Sequence, residues 1–308
     1  EFYNLGIGEP YPISATNRLG LGEFLDEVIA HFGQEVEEEE EDDRIRVAII
    51  GKPNVGKSSI INRLIGENRL IVSDIAGTTR DAVDTEITHN GKEYVLIDTA
   101  GLRRKNKIKE ELERYMIIRT VSAVERADIA VLIIGAVEGV TEQDAKIAGI
   151  AHDRGKAVII AVNKWDAIEK DNQTVKEYTQ KIRQVLSFMP YAEIMFISAV
   201  SGQRLMKLYD VIDAVNENHS MRVATGVLNE IVTEAVALQQ PPSDKGKRLR
   251  IYYTTQVAVK PPTFVIFVND KELMHFSYLR YLENQIRDTF GFVGTPLKFF
   301  VRERKDKK

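Results

Sequence analysis

The sequence predicts two folded parts: an α/β domain with a mainly parallel sheet over residues 44–219, then a small α+β domain over 220–308. Three observations predict this. Short apolar, β-rich runs alternate with helical stretches after residue 45, the pattern of strands joined by crossover helices. The string GKPNVGKS (51–58) falls between the first such run and the first helix. From residue 220 the rhythm changes to helix, strand, strand, helix, strand.

Taken in order, RVAII (46–50) reads as a buried strand, and KSSIINRLIG (57–66) as a helix with Ile60, Ile61, Leu64 and Ile65 on one side. YVLID (94–98), IAVLIIG (129–135), AVIIAV (157–162) and IMFIS (194–198) are further strands. VLNEIVTEAVAL (227–238) is a helix, and QPPSDKGK (240–247) a turn-rich connection. RLRIYYTTQVAV (248–259) and TFVIFVN (263–269) read as paired strands. FSYLRYLENQIRDTFG (276–291) is an amphipathic helix with Leu279, Leu282, Ile286 and Phe290 at helical spacing, and LKFFVRER (297–304) a last strand. YPISATNRLGLGEFLDEVI (11–29) nearly repeats IMFISAVSGQRLMKLYDVI (194–212), so the tail of a second domain of the first type is expected at the start. Between the two lies EVEEEEEDD (35–43), which repels itself and reads as an extended linker.

Composition narrows the function classes. The apolar runs fall far short of the roughly 20 residues of a membrane span. No leader is visible, so a cytoplasmic protein without a membrane span is expected. The absence of cysteine excludes disulfides, thiol catalysis and cysteine metal sites, and the five histidines lack metal-ligand spacing. Charge is uneven: residues 1–43 carry 13 acidic side chains against one basic, whereas 220–308 carry 15 basic against 9 acidic.

The chemistry sits at strand ends. In GKPNVGKS, Gly51 and Gly56 let backbone N–H groups of Asn54, Val55, Gly56, Ser58 and Ser59 wrap phosphate oxygens at a helix N-terminus. Lys57 is placed for the β- and γ-phosphates, and the Ser58 hydroxyl for Mg²⁺. DTAG (98–101) puts Asp98 where it meets the Mg²⁺ shell and lets the Gly101 backbone approach a γ-phosphate. NKWD (163–166) selects the base, because the Asp166 carboxylate accepts from guanine N1–H and its exocyclic amine. Asn163 and Lys164 support that loop and the base face. Beside the next strand, Ser198-Ala199 offers the Ala199 N–H to the guanine carbonyl oxygen.

These motifs resemble the translation-factor-related GTPases. With AGTTRDAVDTE (76–86) and DTAGLRRK (98–105), the whole chain is similar to the Der/EngA family of tandem ribosome-assembly GTPases. The resemblance implies a first GTPase-domain tail at 1–33, an acidic linker at 34–43, a second GTPase domain at 44–219 and a KH-like domain at 220–308. It implies GTP/GDP, Mg²⁺ and K⁺ as cofactors, and a monomer acting on the large ribosomal subunit precursor or rRNA. Thr78 or Thr79, with Thr79 preferred, is then the switch threonine over Mg²⁺ and γ-phosphate, joining Lys57 and Gly101 in catalysis. Asn54 matches an asparagine that holds K⁺ in potassium-activated relatives; a loop-stabilising amide is the alternative. Leu102 stands where Ras-like enzymes place a water-orienting Gln, so no side chain is assigned as base.

GFVG (291–294) matches the G-x-x-G of RNA-clamping KH domains, but it joins a helix to a strand rather than two helices, and reads as a turn. Lys245, Lys247, Arg248 and Arg250 either contact RNA phosphates or form a solvated turn. Arg103, Arg104, Lys105, Lys107 and Lys109 leave the same choice. Two other functions fit part of the pattern. Similar tRNA-modification GTPases carry a C-terminal cysteine motif, which this chain lacks; an RNA-binding module merely stabilised by nucleotide would show no turnover.

Overall fold

The computed structural model describes residues 12–14, 24, 27–28, 43–67, 84–99, 111–241, 243–244 and 246–304. The chain divides into two compact units, Glu1–Asp43 and Arg44–Lys308. In the first, Ser14 forms a strand bridge, and Phe24, Glu27 and Val28 are helical; the expected turn between them lies outside the described residues. Ala15 and linker residues 34–42 lie outside the described residues.

The second unit begins with the predicted α/β alternation: β1 (Ile45–Ile50), α1 (Lys57–Glu67), β2 (Thr85–His89), β3 (Lys92–Ile97), α2 (Glu111–Arg126), β4 (Ile129–Gly135), α3 (Glu142–Asp153), β5 (Ala157–Asn163), α4 (Thr174–Val185), β6 (Glu193–Phe196) and α5 (Lys207–Ser220). The sheet order is β2-β3-β1-β4-β5-β6, and only the β2–β3 pair is antiparallel. β4 and β5 are buried at every position because helices cover both faces of the sheet. Ile60, Ile61, Leu64 and Ile65 of α1 share one face with Leu208, Tyr209, Ile212 and Val215 of α5. Val124 of α2, Ile147 and Ala148 of α3 and Ile182 of α4 cover the other. The edge strand β2 was not anticipated. Its signal is Asn90-Gly91, the two-residue hairpin loop with both φ values positive, at 51° and 80°.

The rest folds as α6 (Thr225–Leu238), a short hairpin of β7 (Ser243–Asp244) and β8 (Lys247–Arg248), β9 (Ile251–Ala258), β10 (Thr263–Val268), α7 (Phe276–Phe290) and β11 (Lys298–Glu303). This is the expected helix, strand, strand, helix, strand order, with Arg248 diverted from the start of the expected long strand into the hairpin, so that β9 begins only at Ile251. In the sheet β11-β10-β9, β10 runs antiparallel to β9 and parallel to β11. Both helices pack on one face, around Leu228, Phe264, Ile266, Leu282 and Ile286.

The two domains meet on the turn after α7. Gly294 donates to Tyr191 O at 2.8 Å and accepts from Val158 N at 2.7 Å. Asn218 Nδ2 donates to Val293 O at 3.0 Å, and His219 Nδ1 lies 2.7 Å from Thr295 Oγ1. A Cβ on Gly294 would stand 2.4 Å from Val215 Cγ2, so glycine is required at its φ of +79°. GFVG is therefore a turn, as its helix-to-strand position suggests, and it is spent on holding the domains together.

Candidate functional site

The phosphate-loop sequence forms the turn from β1 into α1. A Cβ on Gly51 would lie 2.5 Å from Ile133 O, and one on Gly56 would lie 2.2 Å from Asn163 Nδ2. Both glycines thus bring the loop against the sheet, as their positive φ values also require. Lys57 Nζ donates to Gly51 O at 2.7 Å and to Lys52 O at 2.5 Å, spanning the loop it arises from. Burial lowers its pKa to about 8, against a raising influence from Asp144.

Asn163 is a structural staple. Its Nδ2 donates to Val55 O at 2.8 Å, and its Oδ1 accepts from Ala199 N at 3.0 Å. One buried side chain therefore joins the phosphate loop, the NKWD turn and the Ser198-Ala199 turn. Lys164 adopts a left-handed φ of 61° and donates from Nζ to Asn54 O at 2.8 Å, passing over the loop. Asp166 is the middle residue of the short 3-10 turn Trp165–Ala167, is exposed, and is held below the usual carboxylate range, first by the Ser198 hydroxyl and then by its own backbone N–H. The expected Ala199 donor thus already serves Asn163 in this structure, while Ser198 is buried beside Asp166.

Asp98 lies past β3 with φ 55°, and its N–H donates to Asp84 Oδ1 at 3.0 Å. Asp84 also pairs with Arg126. Ser58 and Asp98 each carry an oxygen donor of the kind Mg²⁺ takes. Among the described residues no cluster of three His, Cys, Asp or Glu side chains forms a self-sufficient metal cage. Thr78, Thr79, Gly101, Leu102, the basic run 103–109 and Lys245 lie outside the described residues.

Two groups of supporting residues were missed. Arg63, on α1, donates to Val200 O at 2.6 Å and Ala199 O at 3.2 Å, and Gly202 leaves room for its guanidinium. No local sequence signal marks that contact, which spans 137 residues. Lys52 is buried and pairs with Glu138 at 3.0 Å and the fully buried Asp144 at 3.3 Å. Asp144 Oδ2 also accepts from Thr141 N and Oγ1, at 2.9 and 2.8 Å. Here Thr-x-x-Asp at the start of α3 was a legible helix-start pattern.

Comparison with known proteins agrees with this arrangement. The family described as "50S ribosome-binding GTPase" matches residues 46–164, and "KH-domain-like of EngA bacterial GTPase enzymes, C-terminal" matches 222–302. The chain is 76% identical to GTPase Der of Agathobacter rectalis over 306 residues, 99% of this chain and 69% of that protein. It is 72% identical to GTPase Der of Lachnoclostridium phytofermentans over the same fractions. Among solved structures, Era with MgGDPNP and a 16S ribosomal RNA fragment aligns over 86% of this chain and 94% of that chain. Its 23% identity and TM-score of 0.44 mark a loose superposition that adds nothing to the assignment. With a phosphate loop, NKWD and Ser-Ala turns bound together, a KH-like domain behind them and these relatives along nearly its whole length, the chain belongs to the GTPase Der family.

Proposed function

We propose that this chain is a GTP-hydrolysing switch that acts in assembly of the large ribosomal subunit through contact with its precursor or rRNA. Guanine-nucleotide binding and GTPase activity accord with the family. The observation that carries the reading is the Asn163 staple, which makes phosphate binding and base binding parts of one structure.

The residues divide the work. Backbone N–H groups of 54–59 cradle the phosphates, and Lys57 exchanges its two loop carbonyls for β- and γ-phosphate oxygens. Ser58, Thr79 and Asp98 would hold Mg²⁺, which supplies charge neutralisation when bound. Asp166 selects guanine, with Ser198 holding its carboxylate and Lys164 lying along the base face. The Gly101 backbone senses the γ-phosphate. Because Leu102 offers no hydrogen bond, hydrolysis rests on charge neutralisation and positioning rather than a side-chain base. A K⁺ ion beside Asn54 would add to that charge. The proposed boundaries are 1–33, 34–43, 44–219 and 220–308, in a cytoplasmic monomer; no described helix is long and apolar enough to cross a membrane.

The test replaces one functional group. Asp166→Asn turns an acceptor into a donor against guanine and should weaken GTP binding by at least about tenfold, while partly restoring binding of xanthosine triphosphate. Equal affinity of the unmodified chain for ATP and GTP would refute the base assignment.

A further inference from the structure

The turn that best resembles an RNA clamp is not available for one. Phe292 is fully buried, Gly294 is bonded on both sides to the GTPase domain, and Thr295 faces His219. Any RNA affinity of the KH-like domain needs another surface.

The sheet of that domain has two unlike faces. Helices α6 and α7 cover Phe264 and Ile266 of β10 and Phe299 of β11. Alternation then turns Tyr253 and Val257 of β9, Val265 and Phe267 of β10, and Lys298, Phe300 and Arg302 of β11 to the opposite face. Phe300 is 55% exposed, Val257 51% and Tyr253 38%, whereas Val265 between them is buried. Tyr253 and Phe267 stack across the strands, with centroids 4.3 Å apart and planes 13° from parallel. Their register neighbours on β11 are cationic or aromatic: Phe267 pairs with Arg302, Val265 with Phe300 and Thr263 with Lys298. β11 thus presents cation, ring, cation along this face, with no carboxylate on any of the three strands facing the same way.

We propose that this outer sheet face binds unpaired RNA, stacking bases on Phe300 and the Tyr253–Phe267 pair while Lys298 and Arg302 meet the flanking phosphates. This rests on the RNA-contacting role proposed above and deepens it. Stacking on sheet aromatics suits single strands, because every unpaired base has a π-face whatever its sequence. Charge decides between this partner and a protein: residues 246–304 carry ten Lys/Arg against five Asp/Glu, and the face itself carries only cations. A polyanion with flat apolar groups is complementary to both features. Arg304 over the Tyr252 ring, at 5.6 Å, places a further cation at the rim.

The test uses the full chain and fluorescently labelled 12-nucleotide RNA, unpaired or annealed to its complement, with anisotropy as readout. The unmodified chain should prefer the unpaired form. Tyr253→Leu with Phe300→Leu keeps apolar bulk but removes ring faces, and should weaken that binding at least about tenfold. GTP turnover without RNA should stay unchanged, which also reports that the variant is folded. Arg302→Gln should lower the log–log salt slope by about one. Photocrosslinks should map to peptides containing Tyr253 or Phe300. RNA binding unchanged by the double variant, equal binding of duplex, or crosslinks confined to Lys247–Arg250 would overturn this surface while leaving the RNA role standing. Chain self-association that Phe300→Leu abolishes would instead assign the face to a second copy and overturn the proposal. If the unmodified chain binds neither RNA form nor ribosomal precursor particles, the functional reading itself fails.

Discussion

Asp144 shows how one side chain can govern a loop distant in sequence. Its carboxylate is wholly buried, starts α3 through Thr141 and meets Lys52 inside the phosphate loop, with Oδ1 lacking a hydrogen-bond partner among the described residues. Burial opposes the charge on Lys52, yet Glu138 and Asp144 together hold its pKa above the usual lysine value. Asp144→Asn removes the charge that compensates the buried ammonium and should cost on the order of 1–3 kcal/mol of stability. It should also weaken GTP binding several-fold, because Lys52 O is one of the two carbonyls that hold Lys57. Glu138 is 66% exposed, so Glu138→Gln should change stability by less than about 1 kcal/mol. Thermal melts and GTP titrations of both variants check this; equal effects would show that the loop is not fixed from α3.

Elements carry two further expectations. The turn from β1 to α1 places Asn54 at φ 63° with its carbonyl tied to Lys164, so the residue is held in an αL conformation that asparagine tolerates. If its side chain supports a K⁺ ion, turnover in KCl should exceed turnover in NaCl at equal ionic strength, and Asn54→Ala should abolish the difference. Identical rates in the two salts would leave Asn54 a loop amide. At the end of α5, burial, with Lys260 and Lys156 adding to it, lowers the His219 pKa to about 3. A depressed histidine pKa means the unfolded chain binds the proton more readily. Stability is therefore retained near neutrality and lost as pH falls through about 6.5 towards 3, by up to a few kcal/mol. His219→Gln should flatten that dependence in denaturant titrations between pH 7 and pH 4. An unchanged slope would mean that other groups set it.

On the scale of the whole molecule, the α5 end and the 291–296 turn join the two domains through backbone hydrogen bonds as well as side chains. A nucleotide-driven switch then predicts different affinity for ribosomal precursor particles in the GTP and GDP states. Replacing Lys247, Arg248 and Arg250, with Lys245, by Ala should weaken binding in both states and reduce the salt slope. Sedimentation binding assays in each state separate the outcomes. Affinity blind to nucleotide would refute switching, and affinity blind to the four substitutions would clear that turn of a contact.

By itself the sequence determined what depends on local order: the strand–helix alternation, the glycines of the phosphate loop, the Asp166 position after β5 and the helix-to-strand placement of GFVG. These are legible because periodicity, turn chemistry and motif spacing act over a few residues. The Asn90-Gly91 hairpin was also local and legible, yet it lay hidden beside a longer motif. Tertiary structure alone decided what residues distant in the chain do to one another. It turned Asn163 into a staple, engaged the Ala199 N–H, brought Arg63 across 137 residues to the Ser198-Ala199 turn and tied GFVG into the domain junction through Gly294, with Phe292 buried. It also decided which side of each strand faces water, since a period of two names two faces but only packing partners choose between them. Thus the aromatics of β9, β10 and β11 divide between core and exposed sheet according to where α6 and α7 come to rest.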